Sequence, residues 1–224
     1  MASSNDIANN DLLERIPLDT SIVLDVGCGT GSLASAYRRL NPRARLLGVD
    51  KDPAAAAIAA QRFDEVAVVD VERNPLPFVL DRPIDCLIYA DVLEYLDDPW
   101  RVLRRHQEAL SDEGSMLIRV PNVEHWSIAE RLLRGTWQYE PGGLLDQAHL
   151  RWFGLESMRQ DLLKLLRRQP FVPAPVKELH RALRLPERVD EADAVEAHGR
   201  GEGGALQCHV VSQRAAVAEA DDPG

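Results

Sequence analysis

Cysteine is scarce in this chain: Cys28, Cys86 and Cys208 are the only three in 224 residues. Thiols this few and this scattered build neither a disulfide framework nor a zinc ribbon, so free thiols in a reducing compartment are expected. Long apolar runs are missing too, and none approaches the ~20 residues needed to span a bilayer. The opening MASSNDIANN has no basic start and no apolar stretch, so it is not read as a secretory leader, and the cytoplasm is the expected location. Basic charge is outweighed, with 26 Lys+Arg against 36 Asp+Glu and a net charge of −10. That balance argues against a nucleic-acid binder that depends on a broad basic surface. Aromatic residues make up only 5% of the chain, yet five of them (Trp126, Trp137, Tyr139, Trp152 and Phe153) fall between 121 and 154. There is no internal repeat.

What is present is the composition of a globular protein, 45% hydrophobic and 28% charged. At roughly 100–200 residues per domain, the length suits one domain, taken here as 1–213 with a disordered tail at 214–224. Short apolar runs alternate with helical patterns, the mark of an α/β sheet built from βαβ units. Strands are expected at Ser21–Val26, Arg45–Val49, Val66–Val69, Ile84–Ala90 and Ser115–Val120. Helices are expected from Leu33 to Leu40, from Pro53 to Arg62, from Pro99 to Leu110 and from Leu155 to Leu165. Near-continuous apolar strands of this kind are covered by helices on both faces. Pro121–Gly154 shows neither period cleanly. Phe171–Leu179 can hold an edge strand, Leu206–Val211 a last strand, and Asp190–Gly204 reads as a loose loop.

The most informative segment is Leu24-Asp25-Val26-Gly27-Cys28-Gly29-Thr30-Gly31, between the first strand and its helix. Backbone N–H groups at such a turn point into a crevice, and glycine lets a ligand approach without Cβ interference. Asp25 is placed to accept a hydrogen bond from an ammonium group or a bound water. Asp50, at the carboxyl end of the second strand, is placed to accept both hydroxyls of a ribose. The turn, strand, helix and downstream acid coincide at distances that indicate a nucleoside-bearing cofactor. A dinucleotide site prefers GxGxxG, whereas Ser occupies position 32 here and the third glycine falls at 31.

The spacing GxGxG with an acid two positions upstream resembles motif I of class I S-adenosylmethionine-dependent methyltransferases. Val69-Asp70-Val71 resembles their third-strand motif, Asp85–Leu96 their fourth-strand motif, and Leu110–Val120 the turn and strand after it. Tyr95 stands where many relatives have His, and Ser111–Gly114 replaces a more usual Pro-Gly-Gly turn. The resemblance covers about residues 20–122. It implies a Rossmann-like, doubly wound, mostly parallel seven-stranded sheet with helices on both faces and an antiparallel last strand. It implies S-adenosylmethionine as methyl donor, with no metal. Asp70 would meet the adenine amine, an apolar neighbour such as Val71 would cover the ring, and Lys51, Ala90 and Asp91 would complete a cofactor set of Asp25, Gly27, Cys28, Gly29, Gly31 and Asp50.

The cofactor half is thus about 20–120, and the acceptor side is the insert at about 121–154, which leaves the fifth strand at the carboxyl edge. A hydroxyl acceptor is helped by a general base. His149 is the first candidate, with Asp146 three residues earlier to orient its imidazole on a shared helical turn, and His125 is the second. The aromatics either stack on a sugar or planar acceptor or form the insert's own small core. The small bacterial enzymes that the insert resembles are associated with sugar, polysaccharide or secondary-metabolite pathways, so O-methylation of a small molecule is expected. No nucleic-acid or membrane partner is expected, and a homodimer is compatible with the sequence. The competing readings are a non-catalytic cofactor-binding regulator of the same fold and an NAD(P)-dependent oxidoreductase.

Overall fold

A computed structural model describes residues 10–166, 195–198 and 205–211. The central sheet has the order β3-β2-β1-β4-β5-β7-β6. Five strands run parallel: β1 (Ile22–Val26), β2 (Arg45–Asp50), β3 (Glu65–Val68), β4 (Ile84–Ala90) and β5 (Leu110–Pro121). β7 (Ala205–Val211) pairs antiparallel with β5, and β6 (Val195–His198) antiparallel with β7. Between them lie α1 (Asn10–Leu13), α2 (Ser32–Leu40), α3 (Pro53–Ala59), α4 (Pro99–Gln107), α5 (Trp126–Leu133) and α6 (Leu155–Leu166), with a short 3-10 turn at Leu93–Tyr95.

Strand side chains alternate between two faces, and each face has its own core. On one face Leu24, Val26, Leu47, Leu87 and Tyr89 pack with Val102 and Leu103 of α4 and Met158 and Leu162 of α6. On the other, Val23, Leu46, Cys86 and Ile88 pack with Leu12 of α1, Leu33 and Tyr37 of α2, and Phe63. The chain builds outward from β1 to β3, then returns to β4 beside β1. That reversal opens a crevice at the carboxyl ends of β1 and β4, the usual ligand position in such sheets.

The parallel core follows the sequence expectation, but several boundaries move. α3 ends at Ala59 rather than Arg62, because Phe63 turns inward beneath the glycine loop. α4 stops at Gln107, so Leu110 begins β5, five residues before the expected start. The segment that lacked a clean period contains α5, which starts at Trp126 behind an N-cap at His125. The stretch expected as a loose loop contains β6. The edge strand expected at Phe171–Leu179 and the tail at 214–224 lie outside the described residues.

Candidate cofactor site

The glycine loop is fixed by its neighbours. Gly27 and Cys28 donate their N–H groups to the Val49 carbonyl at 2.8 and 3.0 Å, locking the end of β1 to β2. Gly27 has φ +72° and a Cβ there would collide with the Val92 methyl groups, so two separate constraints demand glycine. Gly31, at φ +83° ahead of α2, would place a Cβ 2.8 Å from the Phe63 ring. It shapes the turn without lining the cavity. Gly29 has open space where its Cβ would lie, and its N–H donates to Asp50 Oδ2 at 2.8 Å.

These groups surround a cavity of about 590 Å³, within the range that encloses a small organic ligand. Asp25 and the loop residues Gly27, Cys28 and Gly29 line it at the end of β1, Asp50 and Lys51 at the end of β2, Asp70 and Val71 just after β3, and Ala90 and Asp91 at the end of β4. Ten of the eleven residues singled out for cofactor contact therefore converge on one space, Gly31 being the exception. Asp50 is held on both oxygens, since Oδ1 accepts from Asp52 N–H at 2.9 Å. Each oxygen keeps a lone pair for a hydroxyl. Asp70 Oδ1 accepts from Glu72 N–H at 3.0 Å, and its other oxygen pairs with Arg73 at 3.2 Å.

Asp25 carries the electrostatic signal of the glycine-loop side. Its side chain is 4% exposed and Oδ1 has no hydrogen-bond partner. Burial, then the charge of Asp50, pushes its carboxyl up to about 7. An unpaired carboxylate in that position is stabilised by a cation, so the site fits a ligand bearing an ammonium or sulfonium group. Burial also raises the Cys28 thiol, which stays protonated and packs as a small apolar group. Among the described residues no cluster of His, Cys, Asp and Glu could hold a metal ion.

The wall toward the insert holds residues that sequence reasoning passed over. Arg119, near the carboxyl end of β5, lines the cavity and forms an ion pair with Asp91. Asp91 adopts φ +55°, unusual for a non-glycine residue, and its N–H donates to the Arg119 carbonyl at 2.9 Å. Burial raises the Asp91 carboxyl, against the opposing pull of Arg119 and His149. Tyr95, which stands where many relatives have His, also lines the cavity. Glu94 is 1% exposed with both carboxyl oxygens unpartnered, and burial lifts its carboxyl to about 8. An acid inside the apolar run Val92–Leu96 was the available signal for it. The strand-end position was the signal for Arg119.

The base candidates are arranged differently from expectation. The His149 ring is buried edge-on against Tyr95, with centroids 5.0 Å apart and Nδ1 unpartnered. Its neighbour Ala148 lines the cavity, while His149 stands behind that wall. Asp146 does not orient the imidazole. No helical turn forms here, and Asp146 Oδ1 accepts from Ala148 N–H at 2.9 Å, closing a local turn. His125 is the N-cap of α5, its Nδ1 2.8 Å from Ser127 Oγ and accepting from Ser127 N–H at 3.4 Å. Of the insert's aromatics only Phe153 is buried; the others are exposed, so they do not form a private core.

With this geometry in hand, comparison with known proteins is direct. A family model described as "Methyltransferase domain" matches residues 5–165. The trans-aconitate 2-methyltransferase of Methylobacterium nodulans is 33% identical over 129 residues, covering 55% of this chain and 47% of that protein. Its counterpart from Escherichia coli is 27% identical over 114 residues, covering 50% and 44%. The chain thus spans about half the length of these relatives. Among solved structures, the plantazolicin methyltransferase BpumL with S-adenosylhomocysteine (SAH) shares the fold at TM-score 0.59 and 18% identity, covering 87% of this chain and 77% of that one. Magnesium protoporphyrin IX methyltransferase from Synechocystis, also with bound SAH, does so at TM-score 0.59 and 14% identity, covering 91% and 81%. The family match extends over the glycine loop, the Asp50 carboxylate and the whole cavity wall, and the chain belongs to the class I S-adenosylmethionine-dependent methyltransferases.

Proposed function

We propose that the protein, as a single domain over 1–213, transfers a methyl group from S-adenosylmethionine to an oxygen of a small molecule: a sugar, polysaccharide precursor or secondary metabolite. The observation that carries the reading is the convergence of the glycine loop, Asp50 and the partnerless Asp25 oxygen on one cavity. Asp25 faces the amino-acid end of the donor, whose ammonium satisfies Oδ1. Asp50, pre-set by Gly29 N–H, accepts the ribose hydroxyls. Asp70 and Val71 take the adenine, and Ala90 and Asp91 close the space beside it. When bound, the donor supplies a methyl already made electrophilic by the sulfonium, so the chain's task is to align it with the acceptor and exclude water.

The acceptor enters from the side of Asp91, Tyr95, Arg119 and Ala148. His149 serves as base for the acceptor hydroxyl, reached by a shift of the turn that Asp146 closes, since its Nδ1 lone pair or proton is otherwise unused. His125 keeps its place as the cap that sets the direction of α5. Relatives named for trans-aconitate and plantazolicin support a small, non-nucleic-acid acceptor.

Calorimetry with SAH tests the cofactor half. Asp50→Ala should weaken binding by about 1–3 kcal/mol, the cost of losing a charged hydrogen-bond partner, and unchanged affinity would reject the ribose role. A labelled-methyl screen of source extract tests turnover. His149→Ala should depress transfer with SAH affinity intact, and undiminished transfer would remove it from the base role.

A further inference from the structure

Large apolar side chains are unevenly exposed over the molecule. Among the described residues, seven of the twelve exposed large hydrophobics fall between 126 and 152: Trp126, Leu132, Leu133, Trp137, Tyr139, Leu150 and Trp152. Three of the rings touch one another, with centroids 6.1 Å apart for Trp137–Trp152, 6.2 Å for Tyr139–Trp152 and 6.4 Å for Trp137–Tyr139. They pack against each other and, among the described residues, remain open to water on their outer sides. α5 lies alongside them, tied at both ends. The segment before it bridges to the one carrying Trp152, through Asn122 and Phe153. At its far end Arg131 pairs with Glu140, next to Tyr139. Trp126 and Leu133 are seven residues apart, so they form one stripe on the helix, and Leu133 is 89% exposed.

Size separates this region from ordinary surface. The four rings are 37–69% exposed, equivalent to about two whole aromatic side chains, or roughly 300–500 Å². Three exposed leucines add to that. The total exceeds what a typical monomer leaves open and approaches the roughly 800 Å² that each partner buries in a standard interface. Tryptophan and tyrosine are also the residues that carry most binding energy at protein contacts.

Charge indicates the partner. The span 126–152 holds three acids (Glu130, Glu140, Asp146) and three arginines (Arg131, Arg134, Arg151), so it is neutral, and the chain's entire excess of ten negative charges lies elsewhere. Two of those arginines are committed to acids of the same span, Arg131 to Glu140 and Arg134 to Glu130. An acidic lipid surface or a nucleic acid finds no free basic stripe here and meets a repelling field from the rest of the molecule. A second copy brings the same neutral face, so a contact of this face with itself sets no net charge against net charge although each chain carries −10. A two-fold contact of the face with itself needs no other complementarity. We propose that the exposed side chains of residues 126–139, together with Trp152, form a self-complementary dimer interface, with Trp126, Leu133 and the Trp137–Tyr139–Trp152 cluster at its centre. The inference rests on the proposed function only in leaving the cofactor side at Asp50 and Asp70, on the β2–β3 half, outside the contact.

Sedimentation of the full chain at micromolar concentrations tests it. The wild type should run at twice the chain mass of 24.9 kDa. Trp126→Glu combined with Leu133→Glu, and separately Trp137→Ala combined with Tyr139→Ala, should each weaken self-association by roughly thirtyfold or more. SAH affinity, measured on the same samples, should stay at the wild-type value and show that the variants are folded. A wild type that remains monomeric, or a dimer that both double variants leave intact, overturns the proposal. Failure of the wild type to bind SAH would instead overturn the cofactor reading and leave the sedimentation result standing.

Discussion

The two halves of the molecule are held by different means. From β1 to β4, the loop around the cavity is locked by main-chain N–H bonds and steric necessity: Gly27 and Cys28 to the Val49 carbonyl, Gly29 to the Asp50 carboxylate, and Gly31, behind the lining, against Phe63. The insert after β5 has backbone bonds of its own, Leu150 and Arg151 N–H to the Glu94 carbonyl and Val123 N–H to that of Phe153, but it relies on side chains as well: a histidine cap on α5, an Arg131–Glu140 pair and a turn closed by Asp146. A donor common to many reactions calls for the first kind of construction, in which nearly every atom is constrained. An acceptor particular to one reaction calls for the second, in which side chains can change without disturbing the sheet.

Substitutions should expose that contrast. The largest effect is expected at Gly27→Val, which adds both a collision with Val92 and a side chain at φ +72°. Overpacking and strain together should cost about 2–6 kcal/mol, read as a collapse of the melting temperature or of SAH binding.

Next comes Glu94. Its carboxyl is raised from 4.5 to about 8 by burial. The folded state therefore holds a proton that the unfolded chain releases, and stability falls as pH rises from about 4.5 through 8. Glu94→Gln should remove that slope, making the variant more stable than wild type at pH 8 by a few kcal/mol at about 1.4 kcal/mol per pK unit, as seen in denaturant melts. Parallel pH profiles for the two proteins would refute the assignment.

Asp25 gives a smaller, ligand-linked effect. Ionised Asp25 favours an ammonium, so SAH binding should release a proton and tighten by up to about tenfold per pH unit as pH rises toward 7, then level off. Asp25→Asn should give a flat profile. In the insert, His125→Ala should cost only about 1 kcal/mol, the usual worth of a helix cap. Leu133→Ala, on an exposed site, should change monomer stability by less than about 0.5 kcal/mol. A large loss at either would mean that the insert is as rigidly integrated as the glycine loop.

Legibility in the sequence divides along the same line. The cofactor side could be read because its constraints act on residue type: a positive φ demands glycine, and a hydroxyl pair demands an acid at a strand end. The insert could not be read in the same way, because its partners are chosen by tertiary contact. Spacing suggested a helical turn joining Asp146 to His149, whereas the chain turns there and the carboxylate caps Ala148 N–H. His125 was a candidate base and is a cap. Arg119 escaped notice because one arginine in the strand Leu117–Pro121 gives no sign that Asp91 sits opposite, a fact set by the register that places Ala90 beside Arg119. Glu94 escaped because an acid inside the apolar run Val92–Leu96 can equally face water, and only the tertiary packing settles that it is buried.

The hydrogen bond from Gly29 to the Asp50 carboxylate has a further consequence. It joins the two loops that would grip opposite portions of the donor, the amino-acid tail and the sugar, by a bond internal to the chain. The ordering entropy of both loops is then lost when the chain folds and not when the ligand binds, so association should proceed without a slow rearrangement. A scaffold pre-organised in this manner leaves the insert free to diverge, and new acceptors can be adopted while the grip on the methyl source stays as it was.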